Sequence, residues 1–436
     1  MLNDKDAEDE SSVAASRHDE DGYRRADGTA PPDGSDERAT ELTGLGIGSS
    51  QDELRLPDNP NASGSPEGAV EASRLFSPYR LQVARQARGL TKTALSSKLK
   101  ISAAALSQFE LGQARPSVTT IEALVRELGF PPPFFSSASV RSSVAKADDE
   151  VVDSFGHFRS LRSVTATRRR QVLTVAHLLR DVTAAIETHV RLPEPSIPRL
   201  TVDPTSPGSA EAAAAAAHVR HELGMDPDGP VDDVLRLLER HGIVCARYPV
   251  DAEDVSAFSV PTEQRTFLVL KRRCDARRER DRFSACHELG HLVMHEPGQG
   301  LATRGVEAQA NAFASEFLMP AHHIRDELPA KVDWPRLLQL KQRWGVSLAA
   351  LLRRGRDLDV IAEATYVQGV RVMSSRGWNV DEPGTVLAAE SPTMLSSSVS
   401  LTSLTPADLS GETGWPEPMI VELLTESTDG RPSLEM

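Results

Sequence analysis

The sequence has 436 residues, of which 39% are hydrophobic, so it is long enough for two or three domains with their own cores. Its formal net charge of −14 argues, taken alone, against a nucleic-acid partner. Counting Asp, Glu, Lys and Arg, however, gives −11 for residues 1–75, −7 for residues 366–436 and +5 for residues 76–140. The acidic charge therefore lies mostly at the two ends, and the basic segment between them could bind DNA.

Cysteine usage and hydropathy exclude several classes of protein. The three cysteines are odd in number and lack C-x-x-C spacing, which argues against a disulfide framework or a thiolate zinc site. The N-terminal segment is acidic rather than apolar, unlike a signal peptide, and no apolar run approaches the roughly 20 residues that span a bilayer. We expect a cytoplasmic protein without a membrane partner.

The two ends of the chain differ in composition from its middle. Residues 1–75 are rich in Asp, Glu, Gly, Ser and Pro, and they bear too few apolar side chains to offset the entropy of ordering, so we predict a disordered acidic tail. Residues 366–436 are Ser- and Pro-rich, and we predict a mostly irregular acidic C-terminal region there.

Residues 76–136 have the pattern of several short helices. Pro78, Thr91, Ser102 and Ser117 stand at predicted helix starts, and apolar residues recur at helical spacing after each of them. This pattern predicts a small all-α domain. Residues 137–204 then read as a polar linker followed by one long helix, at about 165–190.

Residues 205–365 mix helical and strand patterns. Helices are predicted at 210–223, 231–241 and 306–318, and a helical pair at 337–354. Short β-branched runs at 243–247, 257–260 and 266–270 predict a small sheet. The fold class expected for the whole chain is therefore multidomain, with an all-α domain followed by an α+β domain.

The sequence His-Glu-Leu-Gly-His at 287–291 is the strongest chemical signal. On a helix, His287 and His291 share a face and can direct both imidazoles at one zinc ion. Glu288 points about 100° away, where it can accept a proton from an attacking water without being a ligand. His295 lies on the same face but too far along the helix to bind the same ion, which favours a structural or substrate-side role.

Two downstream carboxylates compete for the place of the third ligand. Glu307 begins a predicted helix, and Asn311 lies one turn further on, where it could hydrogen-bond to a ligand. Glu316 is the alternative, but it faces another way on that helix.

Residues 281–295, together with the segment Glu307-x-Gln-Ala-Asn-x-Phe-Ala-x-Glu-Phe-Leu-Met-Pro320, resemble the ImmA/IrrE family of metallo-endopeptidases. The resemblance covers roughly residues 205–365. It implies a compact gluzincin-like domain with His287, His291 and Glu307 as zinc ligands and Glu288 as catalytic base. Gln309 departs from the glutamate that many relatives carry.

Residues 80–135 resemble the helix-turn-helix of Xre/Cro-type repressors, through Arg88-Gly-Leu-Thr91, Ser107-Gln-Phe-Glu110 and Leu111-Gly-x-x-Arg-Pro116. The resemblance implies a third helix in the major groove of double-stranded DNA. The predicted DNA-binding residues are Arg88, Lys92, Ser102, Ser107, Gln108 and Arg115. A basic patch of Arg80, Arg85, Arg88, Lys92, Lys98 and Lys100 is predicted to contact phosphates. Ala103 and Ala104 occupy positions where base-reading side chains are usual, so operator recognition is expected to need a homodimer.

Together the two resemblances imply a DNA-binding transcriptional regulator with a zinc metallo-endopeptidase domain that hydrolyses a regulatory protein, such as an Xre-type repressor. The alternatives are a non-enzymatic regulator that senses a metal or ligand, and a protein-binding member of a toxin–antitoxin or phage-immunity system. An intact Glu288 favours the enzyme, because a binding site alone needs no base beside the metal.

Overall fold

The computed structural model describes residues 66–137, 165–203, 209–248, 256–271, 278–296, 304–384 and 390–425. Residues 1–65, which make up most of the predicted acidic tail, and the linker at 138–164 lie outside the described residues. The last part of the predicted tail is helical, because α1 (Pro66–Arg74) packs with α5 and the 3-10 helix of the domain that follows. In the described part of the chain, no helix is long and apolar enough to cross a membrane.

The first domain consists of short helices whose caps the sequence predicts. After α1 come α2 (Pro78–Ala87), α3 (Lys92–Leu99), α4 (Ala103–Glu110), α5 (Val118–Leu128) and a 3-10 helix (Pro132–Phe135). Ser77, Thr91, Ser102 and Ser117 each accept a hydrogen bond from the backbone N–H three residues on. Gly129 ends α5 at φ 69°, a conformation that costs glycine little. The predicted all-α arrangement is confirmed.

A long helix follows the first domain, and the second domain then begins with two helices and a small sheet. Helix α6 (Ala166–Glu187) is the predicted long helix, and α7 (Ser209–Glu222) and α8 (Val234–Arg240) follow it. Strands β1 (Ile243–Tyr248), β2 (Ala257–Pro261) and β3 (Thr266–Lys271) form a sheet of order β1-β3-β2, in which β1 is parallel and β2 antiparallel to β3. In register, Ser259 of β2 lies opposite Leu268 of β3. All three strands lie where the sequence predicts them.

Helices follow the sheet as far as residue 375, and the first of them packs on one face of it. They are α9 (Arg278–Met294), α10 (Arg304–Leu318), α11 (Ala321–Glu327), α12 (Trp334–Trp344), α13 (Leu348–Asp357) and α14 (Glu363–Ser375). Leu268 and Leu270 of β3 belong to the same buried cluster as Leu289 of α9 and Phe313 of α10. The structure thus combines a helical first domain with an α+β second domain, as predicted.

The C-terminal region departs from the prediction of a mostly irregular segment. Residues 394–424 form α15 (Met394–Thr402), α16 (Pro406–Thr413) and α17 (Glu417–Leu424). Trp415 is fully buried, with its ring centroid 5.7 Å from that of Phe130 and 5.0 Å from that of Phe134. These helices therefore complete a core that also contains the first domain and α6.

That shared core also includes the second face of the sheet. Phe258 and Val260 of β2 belong to the same buried cluster as Leu178 of α6, Phe134 of the first domain and Trp415. Neighbouring residues of β2 alternate between the two faces, so this edge strand has one cluster on each side. The first domain is consequently packed against the second through α6 and the C-terminal helices.

A buried ion pair reinforces this junction and predicts a pH dependence. Burial would raise the pKa of Asp181, but the guanidiniums of Arg80 and Arg180 and a hydrogen bond from Trp415 outweigh it and lower the pKa from 3.8 to about 2. Asp181 Oδ2 lies 2.7 Å from Nη1 of Arg80 and accepts a 2.7 Å hydrogen bond from Nε1 of Trp415. A lowered carboxyl pKa stabilises the fold at pH values above the unfolded pKa, and the effect is lost as pH falls through the folded one.

We therefore expect the wild type to lose about 2 kcal/mol more stability than Asp181→Asn between about pH 5 and pH 2. At pH 7 the variant should be the less stable of the two by roughly 3 kcal/mol or more, because Arg80 is left buried without its counter-ion. Urea unfolding of both proteins across this pH range measures the difference. Parallel pH profiles for the two proteins would contradict the assigned role of Asp181.

Candidate metal centre and nucleic-acid interface

Helix α9 carries the His-Glu-Leu-Gly-His sequence between the sheet and α10. Cys286 and Leu289 are buried on its packed side, and burial raises the pKa of the Cys286 thiol, in keeping with a packing role. A Cβ at Gly290 would lie 3.1–3.2 Å from atoms of Phe313 on α10. Glycine therefore lets the two helices approach closely, and this places Glu307 of α10 beside the histidines.

The donor atoms of three side chains converge where these helices meet. Nε2 of His287 lies 3.1 Å from Nε2 of His291 and 3.5 Å from Oε2 of Glu307, and Nε2 of His291 lies 3.9 Å from Oε1 of Glu307. Within the described residues, these three form a group whose ligand atoms all lie within 4.8 Å of one another. The side chains of His287 and Glu307 remain 19% and 20% exposed, so the cluster is open to a small molecule on one side.

The outer nitrogens of both imidazoles are already occupied. Nδ1 of His287 lies 3.1 Å from Oδ1 of Asn311, and Nδ1 of His291 lies 3.0 Å from Nδ1 of His295. His295 in turn lies 3.0 Å through Nε2 from Oε1 of Gln309, whose amide donates to the carbonyl of Asp203 at 2.8 Å. These bonds orient both rings with Nε2 towards the cluster, as is common for metal-binding histidines.

The electrostatic environment of the two histidines favours a bound cation. Burial, together with the neighbouring His287 and His295, holds the pKa of His291 well below its usual range, so this imidazole is neutral at neutral pH and offers a lone pair. For His287, burial lowers the pKa, but the hydrogen bond to Glu307 and the charges of Glu288 and Glu307 outweigh it, and its pKa is raised. A neutral histidine beside carboxylates is the donor chemistry of zinc sites.

Glu288 lies on the sheet side of α9, away from the ligand group. It is 4% exposed, and Oγ of Ser259 on β2 donates a 2.7 Å hydrogen bond to its Oε2. Burial raises the pKa of Glu288, and the charge on His287 and the hydrogen bonds from Ser259 oppose that rise only in part. A carboxylate with a raised pKa beside a metal cluster is suited to accepting and releasing a proton.

The alternative third ligand is engaged elsewhere. Oε1 of Glu316 accepts a 3.0 Å hydrogen bond from the backbone N–H of Ala321, and its other oxygen pairs with Arg354. Glu307 is therefore the carboxylate that the structure brings to His287 and His291. Ser259 could not be predicted from the sequence, because a lone serine on a short strand gives no local signal of its partner.

The predicted DNA-binding residues lie on and around α3 and α4. Ser102 and Gln108 are exposed and Ser107 is half-buried, all on the predicted recognition helix α4 or its cap. Lys92 begins α3, is 43% exposed and lies 3.2 Å from Oε2 of Glu110. Arg115 is exposed, and its Nη1 donates to the carbonyl of Arg74 at 3.0 Å. Together these five surround the helix-turn-helix surface.

Three arginines of the predicted basic patch are held within the protein. Arg80 is 4% exposed and pairs with Asp181, and Arg85 is 5% exposed with its Nε 2.5 Å from Oε1 of Glu110. The prediction of an exposed basic patch is therefore wrong for Arg80 and Arg85, whose side chains are buried. Arg88 is half-buried, and its Nε donates a 2.6 Å hydrogen bond to the carbonyl of Leu128. The sequence alone could not reveal that these arginines have partners inside the protein.

Comparison with known protein families agrees with both regions. Residues 81–135 match the family model described as helix-turn-helix, and residues 238–355 match the M78 peptidase model described as the IrrE N-terminal-like domain. A comparison with curated proteins gave no match. The chain thus contains an Xre-type helix-turn-helix region followed by an IrrE/ImmA-like region. The matches support a DNA-binding regulator with a peptidase-like domain.

Proposed function

We propose that the chain is a transcriptional regulator whose second domain is a zinc metallo-endopeptidase that hydrolyses peptide bonds in a regulatory protein. The observation that carries the proposal is the convergence of His287, His291 and Glu307 on one point, with Glu288 one residue away on the same helix. A family match alone indicates a domain type, whereas this arrangement supplies the groups that peptide hydrolysis requires.

The donor set fits zinc. A tetrahedral ion with bonds of roughly 2.1 Å has neighbouring ligand atoms about 3.4 Å apart. The three separations in this cluster are 3.1, 3.5 and 3.9 Å, close to that value. Two histidines and a carboxylate leave one coordination position free, which is typical of catalytic rather than structural zinc sites.

The chain's own residues have distinct roles in the proposed reaction. A zinc ion held by these ligands supplies Lewis acidity, which polarises a peptide carbonyl and makes a water more acidic. Glu288 accepts the proton of the attacking water at Oε1, because its Oε2 already accepts the hydrogen bond from Ser259. Glu288 then returns the proton to the amine that leaves. The hydrogen bond from Ser259 holds the carboxylate in one orientation throughout.

The proposed substrate is an Xre-type repressor encoded near the gene of this chain. The resemblance to ImmA/IrrE proteins supports this choice, because many relatives act on such repressors. Metal analysis of the purified full chain, combined with incubation with that repressor and separation of the fragments, tests both halves of the proposal. Zinc with no cleavage of the repressor would remove this substrate, and absence of bound zinc would remove the peptidase.

A second candidate is a regulator that binds a metal or ligand without catalysis and changes its affinity for DNA. It is favoured by one observation, the position of β2 between the two cores. Ser259 of this strand touches Glu288, whereas Phe258 and Val260 pack in the core that also contains α6 and Phe134. A movement of residues at the metal cluster would therefore be transmitted through β2 to α6 and to the DNA-binding domain packed against it.

The DNA half of the proposal predicts different results for two substitutions in the full chain. Lys92→Ala removes a positive charge from the start of α3 and should weaken binding to all sequences alike. Gln108→Ala removes an exposed amide from α4 and should reduce discrimination by about 1–3 kcal/mol at one base pair. Anisotropy titrations with a selected operator and a scrambled duplex measure both effects. Equal losses on both duplexes for Gln108→Ala would contradict a base-reading role.

These titrations need the whole protein. An isolated fragment of residues 70–140 would expose Phe130 and Phe134, which pack against Trp415, and would separate Arg80 from Asp181.

The operator is expected to contain two half-sites about one helical turn apart, since a homodimer compensates for the alanines at the start of α4.

A further inference from the structure

A cleft of about 340 Å³ opens between the helix-turn-helix region and the start of α6. It is lined from the first domain by residues of α2, α3 and α4, including Gln82, Gln86 and Lys92, and from α6 by Thr167 and Arg170. Neither the metal cluster nor the predicted base-reading residues reach it. The cleft is thus formed by two segments, the helix-turn-helix region and α6, that are separated in the sequence by the linker.

The charge of this cleft favours an anion. Arg85, Lys92 and Arg170 bring three positive charges to its lining, against the single carboxylate of Glu110. Glu110 is largely satisfied by Arg85, whose Nη2 lies 3.1 Å from its second oxygen in addition to the Nε contact. Arg170 is exposed and forms no ion pair with any residue that the structure describes. The excess charge is therefore available to a ligand.

Uncharged hydrogen-bond donors at the cleft also favour an anion. Gln86 is 8% exposed and lines the cleft, and its side-chain amide has no hydrogen-bond partner within the described residues. Its amide atoms are not sealed from solvent, so they are free to hydrogen-bond to a ligand in the cleft. Thr91, the N-cap of α3, also lines the cleft, so the positive end of that helix dipole faces the same space. An oxyanion satisfies both features.

The location identifies the anion. In a helix-turn-helix, the second helix of the motif enters the major groove and the first crosses the sugar–phosphate backbone. Here those helices are α4 and α3, and the cleft lies at the start of α3. We propose that this cleft seats a DNA backbone phosphate, and that Arg170 of α6 and Gln86 of α2 thereby extend the DNA interface beyond the helix-turn-helix surface. The inference rests on the proposed DNA binding and adds a contact from outside the matched residues 81–135.

Salt-dependent DNA binding by the full chain tests the inference. Each phosphate that a cation neutralises contributes about 0.9 to the slope of log K against log salt, so Arg170→Gln should lower the slope by about 1 and weaken binding roughly 5- to 10-fold near 0.1 M salt. Arg170→Lys should keep the slope, because the charge is retained. Gln86→Leu should weaken binding about fivefold with the slope unchanged, since it removes a hydrogen bond and no charge.

The matched control is Arg240→Gln. Arg240 is exposed at the end of α8, outside the cleft, and its replacement changes the net charge of the chain by the same amount. A slope that falls only in Arg170→Gln supports the inference. A slope that stays at the wild-type value, or falls equally in Arg240→Gln, overturns it while leaving DNA binding intact. A wild type that binds no duplex even at low salt instead refutes the DNA half of the proposed function.

Discussion

Glu288→Gln is expected to retain zinc and the native fold but to lose cleavage of a protein substrate by a factor of about 10² to 10⁴. The substitution removes the proton acceptor without touching His287, His291 or Glu307. Glutamine also keeps an oxygen that can accept the hydrogen bond from Ser259, so the packing between α9 and β2 is preserved. Rates of repressor cleavage, measured beside zinc content and circular dichroism, give all three quantities.

Ser259→Ala is the matched control for that experiment. It leaves the carboxylate of Glu288 in place but removes the hydroxyl that orients it, so its rate should fall by much less than that of Glu288→Gln. Unchanged cleavage by Glu288→Gln would rule out the proposed base. Should the wild type itself cleave no repressor or other regulatory protein, the non-enzymatic regulator becomes the better account of the chain.

The sequence predicted those parts of the fold that local signals specify. The starts of α3, α4 and α5 at Thr91, Ser102 and Ser117 could be recognised because a hydroxyl before an apolar helical repeat satisfies an otherwise free backbone N–H. The metal-binding histidines could be recognised because positions i and i+4 share a helix face. Each of these signals involves residues that are only a few positions apart in the chain.

The C-terminal helices could not be recognised because their stability comes from distant partners. The apolar residues of α15 and α16 are interspersed with serines and threonines, and helices of eight or nine residues, such as α15 to α17, are marginal in isolation. Pro406 and Pro418 suggest irregular structure but stand in the first turns of α16 and α17, where proline is tolerated. Packing of Trp415 against Phe130 and Phe134 supplies what the local sequence lacks.

The same distinction explains the incorrect part of the basic patch. Arg80 and Arg85 of α2 look like surface charges because arginine side chains are mostly exposed in proteins. Their partners, Asp181 and Glu110, lie 101 and 25 residues further along the chain, and only the tertiary fold brings them together. Glu307 could be favoured over Glu316 from the sequence, but the ion pair of Glu316 with Arg354 was needed to show where the second carboxylate goes.

Loss of one ligand should have the largest effect on metal binding. The wild type is expected to bind about one zinc per chain, and His287→Ala to bind almost none, because it removes one of only three protein ligands. His295→Ala is the matched control, since His295 contacts His291 at its outer nitrogen and lies outside the ligand group. Loss of such an outer partner typically weakens metal affinity about 10- to 100-fold, so this variant should still fill with zinc when the metal is in excess. Zinc content after equilibrium dialysis, followed by competition with a chelator, separates an absent ligand from a weakened one. Equal loss of zinc from the two variants would mean that His295 acts as a ligand itself, and the assignment of Glu307 as the third ligand would then fail.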